Sequence, residues 1–194
     1  MPAKFKRQVL YLASASPRRK EILQKLKISF KVVRSDYSEN PNREKNPKNL
    51  ALAHAIGKAA EARIPKTARW VLGADTVVYA GRKILGKPRD DKHAFEMLSL
   101  LSGKTHRVYT AIVLLDGETR TAYPAVDETK VTFKKLSPEQ IRDYIRRAHV
   151  LDKAGSYGIQ LKPKVVKKIR GSYDNVVGLP SEVLVKLLRR SGFR

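Results

Sequence analysis

The sequence predicts an α/β protein built on a sheet of mixed strand direction. Two observations carry this prediction. Apolar, strand-like runs alternate with segments whose apolar residues recur at helical spacing. One pair of strands is joined through Asp116-Gly117, a hairpin signal, and a hairpin is antiparallel by construction. At 194 residues and 42% hydrophobic, the chain is long enough for one domain with a sizeable core. No repeat or clear linker divides it, so residues 1–194 are expected to form a single domain.

Val9-Leu10-Tyr11-Leu12 reads as a buried strand. A helix from Pro17 to about Lys27 follows, with Ile22, Leu23 and Leu26 on one face. Ser16 suits its N-cap, and Pro17 suits the first helical position because the missing N–H would be unpaired there anyway. Asn40 to Lys48, rich in Asn, Pro and charge, is a loop. Asn46 caps a helix starting near Pro47, with Leu50, Ala53, Ile56 and Ala60 on or near its inner face. Trp70 to Tyr79 is a strand, and Gly81 turns it into a short strand at Lys83 to Leu85. Asp90 caps a helix with Phe95, Leu98 and Leu101 inside, ended by Gly103. Arg107 to Leu115 and Ala125 to Phe133 are the hairpin strands, the second alternating at Thr129, Val131 and Phe133. Ser137-Pro138-Glu139-Gln140 opens a helix with a capping box. Val165 to Ile169 is a strand, and Ser181 to Arg190 a last helix with Val183, Leu184, Leu187 and Leu188 inward.

Composition excludes several chemistries. Without cysteine there is no disulfide, thiolate metal site or cysteine nucleophile. His54, His93, His106 and His149 show no metal-ligand spacing and read as surface or structural residues. Met1 to Arg7 is short and basic with no apolar stretch behind it, and no apolar run of about 18 residues occurs, so a cytoplasmic protein without a membrane span is expected. Lys and Arg number 41 against 18 Asp and Glu, a net charge of +23. Such a surface can bind nucleic acid, steer an anionic small substrate, or simply be solvated. Nucleic acid is the least favoured partner, because no helix-turn-helix, zinc-finger or aromatic-interleaved basic motif is present.

Four segments carry candidate chemistry. In Ser14-Ala15-Ser16-Pro17-Arg18-Arg19 a helix start directs free N–H groups and a positive dipole end toward two hydroxyls and two guanidiniums, which makes an anion site. The alternative is an ordinary helix start with two surface arginines. Asp75 lies inside the apolar strand Leu72-Gly73-Ala74-Asp75-Thr76-Val77-Val78, where a carboxylate is costly without a metal ion or a cationic partner. The small Gly73-Ala74 pair leaves room for a ligand to approach the backbone, and a structural Lys or Arg is the alternative partner for Asp75. Gly86-Lys87-Pro88 holds a lysine in a stiff loop, and Asp152-Lys153-Ala154-Gly155-Ser156-Tyr157-Gly158-Ile159-Gln160 presents a glutamine amide able to read a base edge. Walker, Gly-x-Gly-x-x-Gly and Gly-x-Ser-x-Gly motifs are absent.

In order, Ser-x-Ser-Pro-Arg-Arg, Gly-Ala-Asp-Thr, Gly-Lys-Pro, Leu-Ser-Gly-x-x-His, Asp-Lys-Ala-Gly-x-Tyr-Gly-Ile-Gln and Val-Val-Gly-Leu-Pro resemble the Maf family of nucleoside triphosphate pyrophosphatases, from about Val9 to Leu188. The resemblance implies hydrolysis between the α- and β-phosphates, giving a monophosphate and pyrophosphate. It implies a divalent cation, usually Mg²⁺ with Mn²⁺ or Co²⁺ as alternatives, and commonly a homodimer. It implies an elongated mixed sheet, ITPase-like, in two lobes around a central cleft. By the same resemblance, Ser14, Arg18, Arg19, Lys58 and Lys87 contact phosphate, Asp75 is the general base, and Glu39 with Asp75 holds the metal. Asp36 is the alternative to Glu39. Arg18, Thr76 and Gln160 match the specificity positions of the branch acting on thymidine and uridine triphosphates, with modified pyrimidine nucleotides as further candidates. Leu161-Lys162-Pro163-Lys164 departs from the family's glycine-rich continuation after Gln160. A carboxylate pair such as Glu39 and Asp75 repels itself without a metal, so the metal-free site is expected to be strained or to hold a lysine ammonium. The competing reading is a non-enzymatic nucleic-acid-binding or cell-division regulatory protein on the same fold, motivated by the charge.

Overall fold

The computed structural model describes residues 8–194; the basic segment Met1 to Arg7 lies outside them. Seven strands, β1 (Leu10–Leu12), β2 (Phe30–Val32), β3 (Trp70–Ala80), β4 (Lys83–Leu85), β5 (Thr105–Asp116), β6 (Ala122–Phe133) and β7 (Val166–Arg170), form one sheet. The helices are α1 (Pro17–Lys25), α2 (Pro47–Ala60), α3 (Asp91–Leu101), α4 (Pro138–Ala148), α5 (Tyr173–Val177) and α6 (Ser181–Ser191). The strand order is β2-β1-β3-β5-β6-β7, with β4 beside β3. β1 runs parallel to β2 and β3, and the other pairings are antiparallel. This is the mixed α/β sheet the sequence predicts.

The pairing of β3 positions the site. One edge is covered by β5 from Trp70↔Asp116 to Tyr79↔Arg107. On the other edge β1 covers residues 70–72 and β4 covers residues 78–80. Residues 73–77 between them have no strand partner on that side among the described residues. The chain leaving β1 passes this gap, tied by the Ala13 N–H to the Leu72 carbonyl at 2.9 Å. Crevices of this kind, beyond the carboxyl end of a parallel strand, are where open α/β sheets bind ligands.

Alternation along β3 divides the packing. On one face Trp70, Leu72 and Ala74 join α1 and α6 through Ile22, Leu23, Leu184 and Leu188. Further along the same face Val78 and Ala80 join α3 and α4 through Leu98, Leu101, Ile141 and Tyr144. Thr76 falls between these two cores. The other face lies under α2, which buries Leu50, Ala51, His54, Ala55 and Ala59. The sequence predicts Ala53, Ile56 and Ala60 on or near the inner face, but Ala53 is only half-buried, Ile56 is 44% exposed and Ala60 is exposed. The reason is a stripe of small residues, Ala51, Ala55 and Ala59, which lets the helix backbone approach the sheet. Gly73 completes that approach: a Cβ there would stand 2.1 Å from the Ala55 carbonyl oxygen. Its missing side chain admits a helix rather than a ligand.

Three other differences have local causes. The hairpin has no two-residue Asp-Gly turn. Asp116 closes β5, its carboxylate accepts the Glu118 N–H at 2.9 Å, and residues 117–121 form the loop. β6 begins before Pro124, which costs no ladder bond because β7 pairs only with the far end of β6. β2 and α5 went unpredicted, the first for want of alternation (Lys31 and Val32 are both exposed) and the second for its five residues.

Candidate active site

Two polar clusters meet at the β3 gap. The first is built on α1. Ser16 occupies the N-cap position but its hydroxyl makes no capping bond. Instead Ser14 Oγ accepts the Ser16 N–H at 3.3 Å and Arg19 Nη1 at 2.9 Å, which leaves its own hydroxyl hydrogen free for a ligand. Arg19 is buried. Its Nε donates to the Gly178 carbonyl at 2.8 Å, and its Nη2 lies 3.5 Å from Thr76 Oγ1. Burial lowers the Arg19 pKa from its ordinary value, against the attraction of Asp75. Thr76 Oγ1 is 3.0 Å from Thr110 Oγ1, which donates to the Asn175 carbonyl at 2.8 Å. Asn175 is itself anchored, its Nδ2 donating to Thr129 Oγ1 and the Val108 carbonyl. Gly178 ends α5 with φ +119°, and a Cβ there would come within 3.3 Å of Thr76 Oγ1.

The second cluster is built on α2 and Asp75, on the face opposite Thr76. Lys58 Nζ lies 2.6 Å from Asp75 Oδ1 and 2.7 Å from Glu39 Oε1. His54, one helical turn before Lys58, places Nδ1 3.3 Å from Asp75 Oδ2 and Nε2 3.1 Å from the Asn40 carbonyl. Burial pushes the Asp75 carboxyl up, but the His54 hydrogen bond, the Lys58 charge and hydrogen bond, and Arg19 together hold it below the usual carboxylate range. The Asp75 hydrogen bond raises the His54 pKa despite its burial. The ammonium anticipated between the two carboxylates is that of Lys58. Asp36 lies elsewhere, bound to Arg63 at 2.6 Å.

The remaining sequence-derived residues, Arg18, Lys87 and Gln160, are not joined to either cluster by a side-chain hydrogen bond or ion pair among the described residues. Arg18 Nη1 bonds Asp152 Oδ2 at 3.1 Å, and Asp152 also pairs with the buried Lys153. The loop after α4 is tied to Gly86-Lys87-Pro88 by the Gly155 N–H on the Gly86 carbonyl at 3.0 Å. Lys87 and Gln160 are exposed and make no hydrogen bond or ion pair with either cluster. Three contributors escaped sequence reasoning: His54, the Gly178 carbonyl, and Asp152 as the partner of Arg18. For His54 a signal existed, since it lies four residues before Lys58 and therefore on the same helix face.

Glu39, His54 and Asp75 each offer one ligand atom, all within 4.8 Å of one another. Two carboxylate oxygens with an imidazole nitrogen suit a divalent cation, and the Lys58 ammonium already holds positive charge there. The donor set therefore fits a metal ion.

A family profile described as Maf-like protein matches residues 9–191. The chain belongs to that family. Among similar proteins, the dTTP/UTP pyrophosphatase of Bacillus cytotoxicus is 45% identical over 180 residues, which is 92% of this chain and 93% of the relative. That of Clostridium perfringens is 44% identical over 183 residues, 91% of this chain and 94% of the relative. That of Bacillus cereus strain G9842 is 42% identical over 182 residues, 93% and 94% of the two chains. Among solved structures, the Staphylococcus aureus Ham1 protein matches 65% of this chain and 72% of its own with a TM-score of 0.40 and 10% identity. No helix among the described residues is long and apolar enough to cross a membrane.

Proposed function

We propose that this chain is a nucleoside triphosphate pyrophosphatase acting on dTTP and UTP, releasing the monophosphate and pyrophosphate. The observation that carries the reading is Asp75, a buried carboxylate held ionised at the gap in the sheet, with the Arg19–Ser14 anion grip on the adjoining side. Near-full-length relatives that bear the name dTTP/UTP pyrophosphatase support the substrate. A triphosphate carries about four negative charges near neutral pH, and charge balance with positioning supplies most of the catalysis in phosphoryl chemistry. Ser14, Arg19 and the first-turn N–H groups of α1 bind phosphate oxygens, and Arg18, Lys58 and Lys87 close on them from the rim and from α2. Asp75 accepts the proton of the attacking water. Glu39 and Asp75 would hold the divalent cation, Mg²⁺ in the first instance. When bound, that cation supplies further neutralisation of the phosphate oxygens. Arg18, Thr76 and the Gln160 amide set the preference for a pyrimidine base. The cytoplasmic location and the homodimer belong to the same proposal, and sedimentation at several concentrations tests the second.

The deciding experiment is a panel of nucleoside triphosphates with product identification, on the wild type and on Asp75→Ala with Mg²⁺ present. The expected result is pyrophosphate with dTMP or UMP, lost in the variant. Release of orthophosphate and a diphosphate overturns the reaction class. Turnover of 7-methylguanosine triphosphate equal to that of dTTP overturns the substrate.

A further inference from the structure

His54 has no task in the mechanism above, yet its surroundings are specific. The ring is buried, 4% exposed, beside the Tyr37 ring at 5.8 Å. Its Nε2 faces the Asn40 carbonyl at 3.1 Å. A carbonyl oxygen only accepts, so Nε2 must carry a hydrogen. That fixes the role of the other nitrogen. On a neutral ring Nδ1 is a bare lone pair, and it faces Asp75 Oδ2 at 3.3 Å. Two acceptors face each other, and only positive charge between them makes the contact favourable.

Two occupants satisfy that contact, a second ring proton or a metal cation. A metal-ligating histidine typically donates its other N–H to a backbone carbonyl or carboxylate, which fixes the tautomer and the ring plane. His54 already has that support in Asn40. The same loop presents Glu39, so the residue that orients the ring follows directly on the residue that brings the second carboxylate. Ligand atoms of Glu39, His54 and Asp75 lie within 4.8 Å of one another, close enough to share one ion. Lys58 Nζ, at 2.6 and 2.7 Å from the two carboxylates, marks where a cation is stabilised.

We propose that His54 Nδ1 is a third protein ligand to the divalent cation, and that it tilts the site toward Mn²⁺ or Co²⁺, which accept imidazole more readily than Mg²⁺ does. This rests on the reading of Glu39 and Asp75 as the metal-holding carboxylates.

The test is metal binding by the full chain without nucleotide. Mg²⁺ and Co²⁺ affinities are measured by calorimetry, and the Co²⁺ form is examined by visible absorption and by proton NMR for a paramagnetically shifted, exchangeable imidazole N–H. The proteins are the wild type, His54→Leu, His54→Gln, Glu39→Gln and Asp75→Asn. Two His54 variants are used, one apolar and one amide, so that a failure of either to fold, seen by circular dichroism, leaves the other. The expected result is a shifted N–H resonance in the wild type, absent in both His54 variants. Co²⁺ affinity in those variants falls about 10- to 100-fold, while Mg²⁺ affinity changes by less than about threefold. Co²⁺ affinity and spectra unchanged in the His54 variants, but lost in Glu39→Gln and Asp75→Asn, overturn the third ligand and leave the carboxylate reading standing. Binding of both cations unaffected by the carboxylate variants, or no binding by the wild type, overturns that reading and this inference with it.

Discussion

His54 and His106 are both buried, 4% and 2% exposed, on opposite faces of one sheet, and their surroundings push them in opposite directions. His54 stands among charges, with Asp75, Lys58 and Glu39 around it, and the hydrogen bond to Asp75 raises its pKa. His106 stands among rings, 5.1 Å from that of Phe133 and 5.4 Å from that of Tyr157. Its Nε2 lies 2.8 Å from the Tyr157 hydroxyl and its Nδ1 has no hydrogen-bond partner among the described residues. Burial there lowers its pKa to about 4. The same side chain thus belongs to a charged cluster on one face and to a packed core on the other. The difference lies in what the fold puts opposite the ring nitrogens. Changes in the charged cluster should alter activity more than stability, and changes in the aromatic cluster the reverse.

The largest effect is expected at Asp75. Asp75→Asn keeps the volume and removes the charge, so pyrophosphate release should fall about 10²- to 10⁴-fold, the usual range for a lost general base. A variant with more than a tenth of wild-type turnover breaks the assignment. In the aromatic cluster, Phe133→Ala should lower stability by about 3–5 kcal/mol in urea unfolding, because Phe133 is 1% exposed. Turnover per folded molecule should stay at the wild-type level, and a selective loss of turnover would erase the contrast between the clusters.

The third effect is acid lability from His106. Between pH 6.5 and 4 the unfolded chain takes up a proton that the folded core refuses, so stability is full above pH 6.5 and falls as pH drops. The cumulative loss by pH 4 is on the order of 3 kcal/mol. His106→Gln, which does not titrate, should flatten that part of the curve. The depressed carboxylates Asp75, Asp116 and Asp152 act at lower pH, below the ordinary carboxylate range. The smallest effect is at Gly178→Ala, where φ +119° and the 3.3 Å approach to Thr76 should cost about 1–3 kcal/mol. The substrate KM should rise while kcat changes little, since the carbonyl on Arg19 shifts. Gly192→Ala, also at positive φ but in open space, is the control expected to leave KM alone.

Much of this arrangement is legible in the sequence. The apolar run of β3, the Gly81 turn into β4 and the helical spacing of α3 place those elements, and the capping box that opens α4 at Ser137 is present with both of its bonds. The costly carboxylate in β3 marks one cluster and the Ser-Pro-Arg-Arg helix start marks the other. What escapes is whatever depends on distant partners. The α2 face is set by the small surface that Gly73 offers, which periodicity of α2 alone does not reveal. His54 reads from the sequence as a surface or structural residue, because Glu39 and Asp75 reach it from a loop and a strand rather than at a fixed spacing along the chain. Gly178 acts through a carbonyl, which every residue has, so no residue type announces it.

The Arg19–Gly178 bond joins positions 159 residues apart. Contacts of such separation form late, because the entropy of closing a long loop must be met before they give anything back. α1 can dock on β1 early, yet its guanidinium finds the Gly178 carbonyl only after α5 has folded over Thr110. In refolding, nucleotide affinity should therefore lag behind secondary structure. The arginine grip reports that the two ends of the described chain have met.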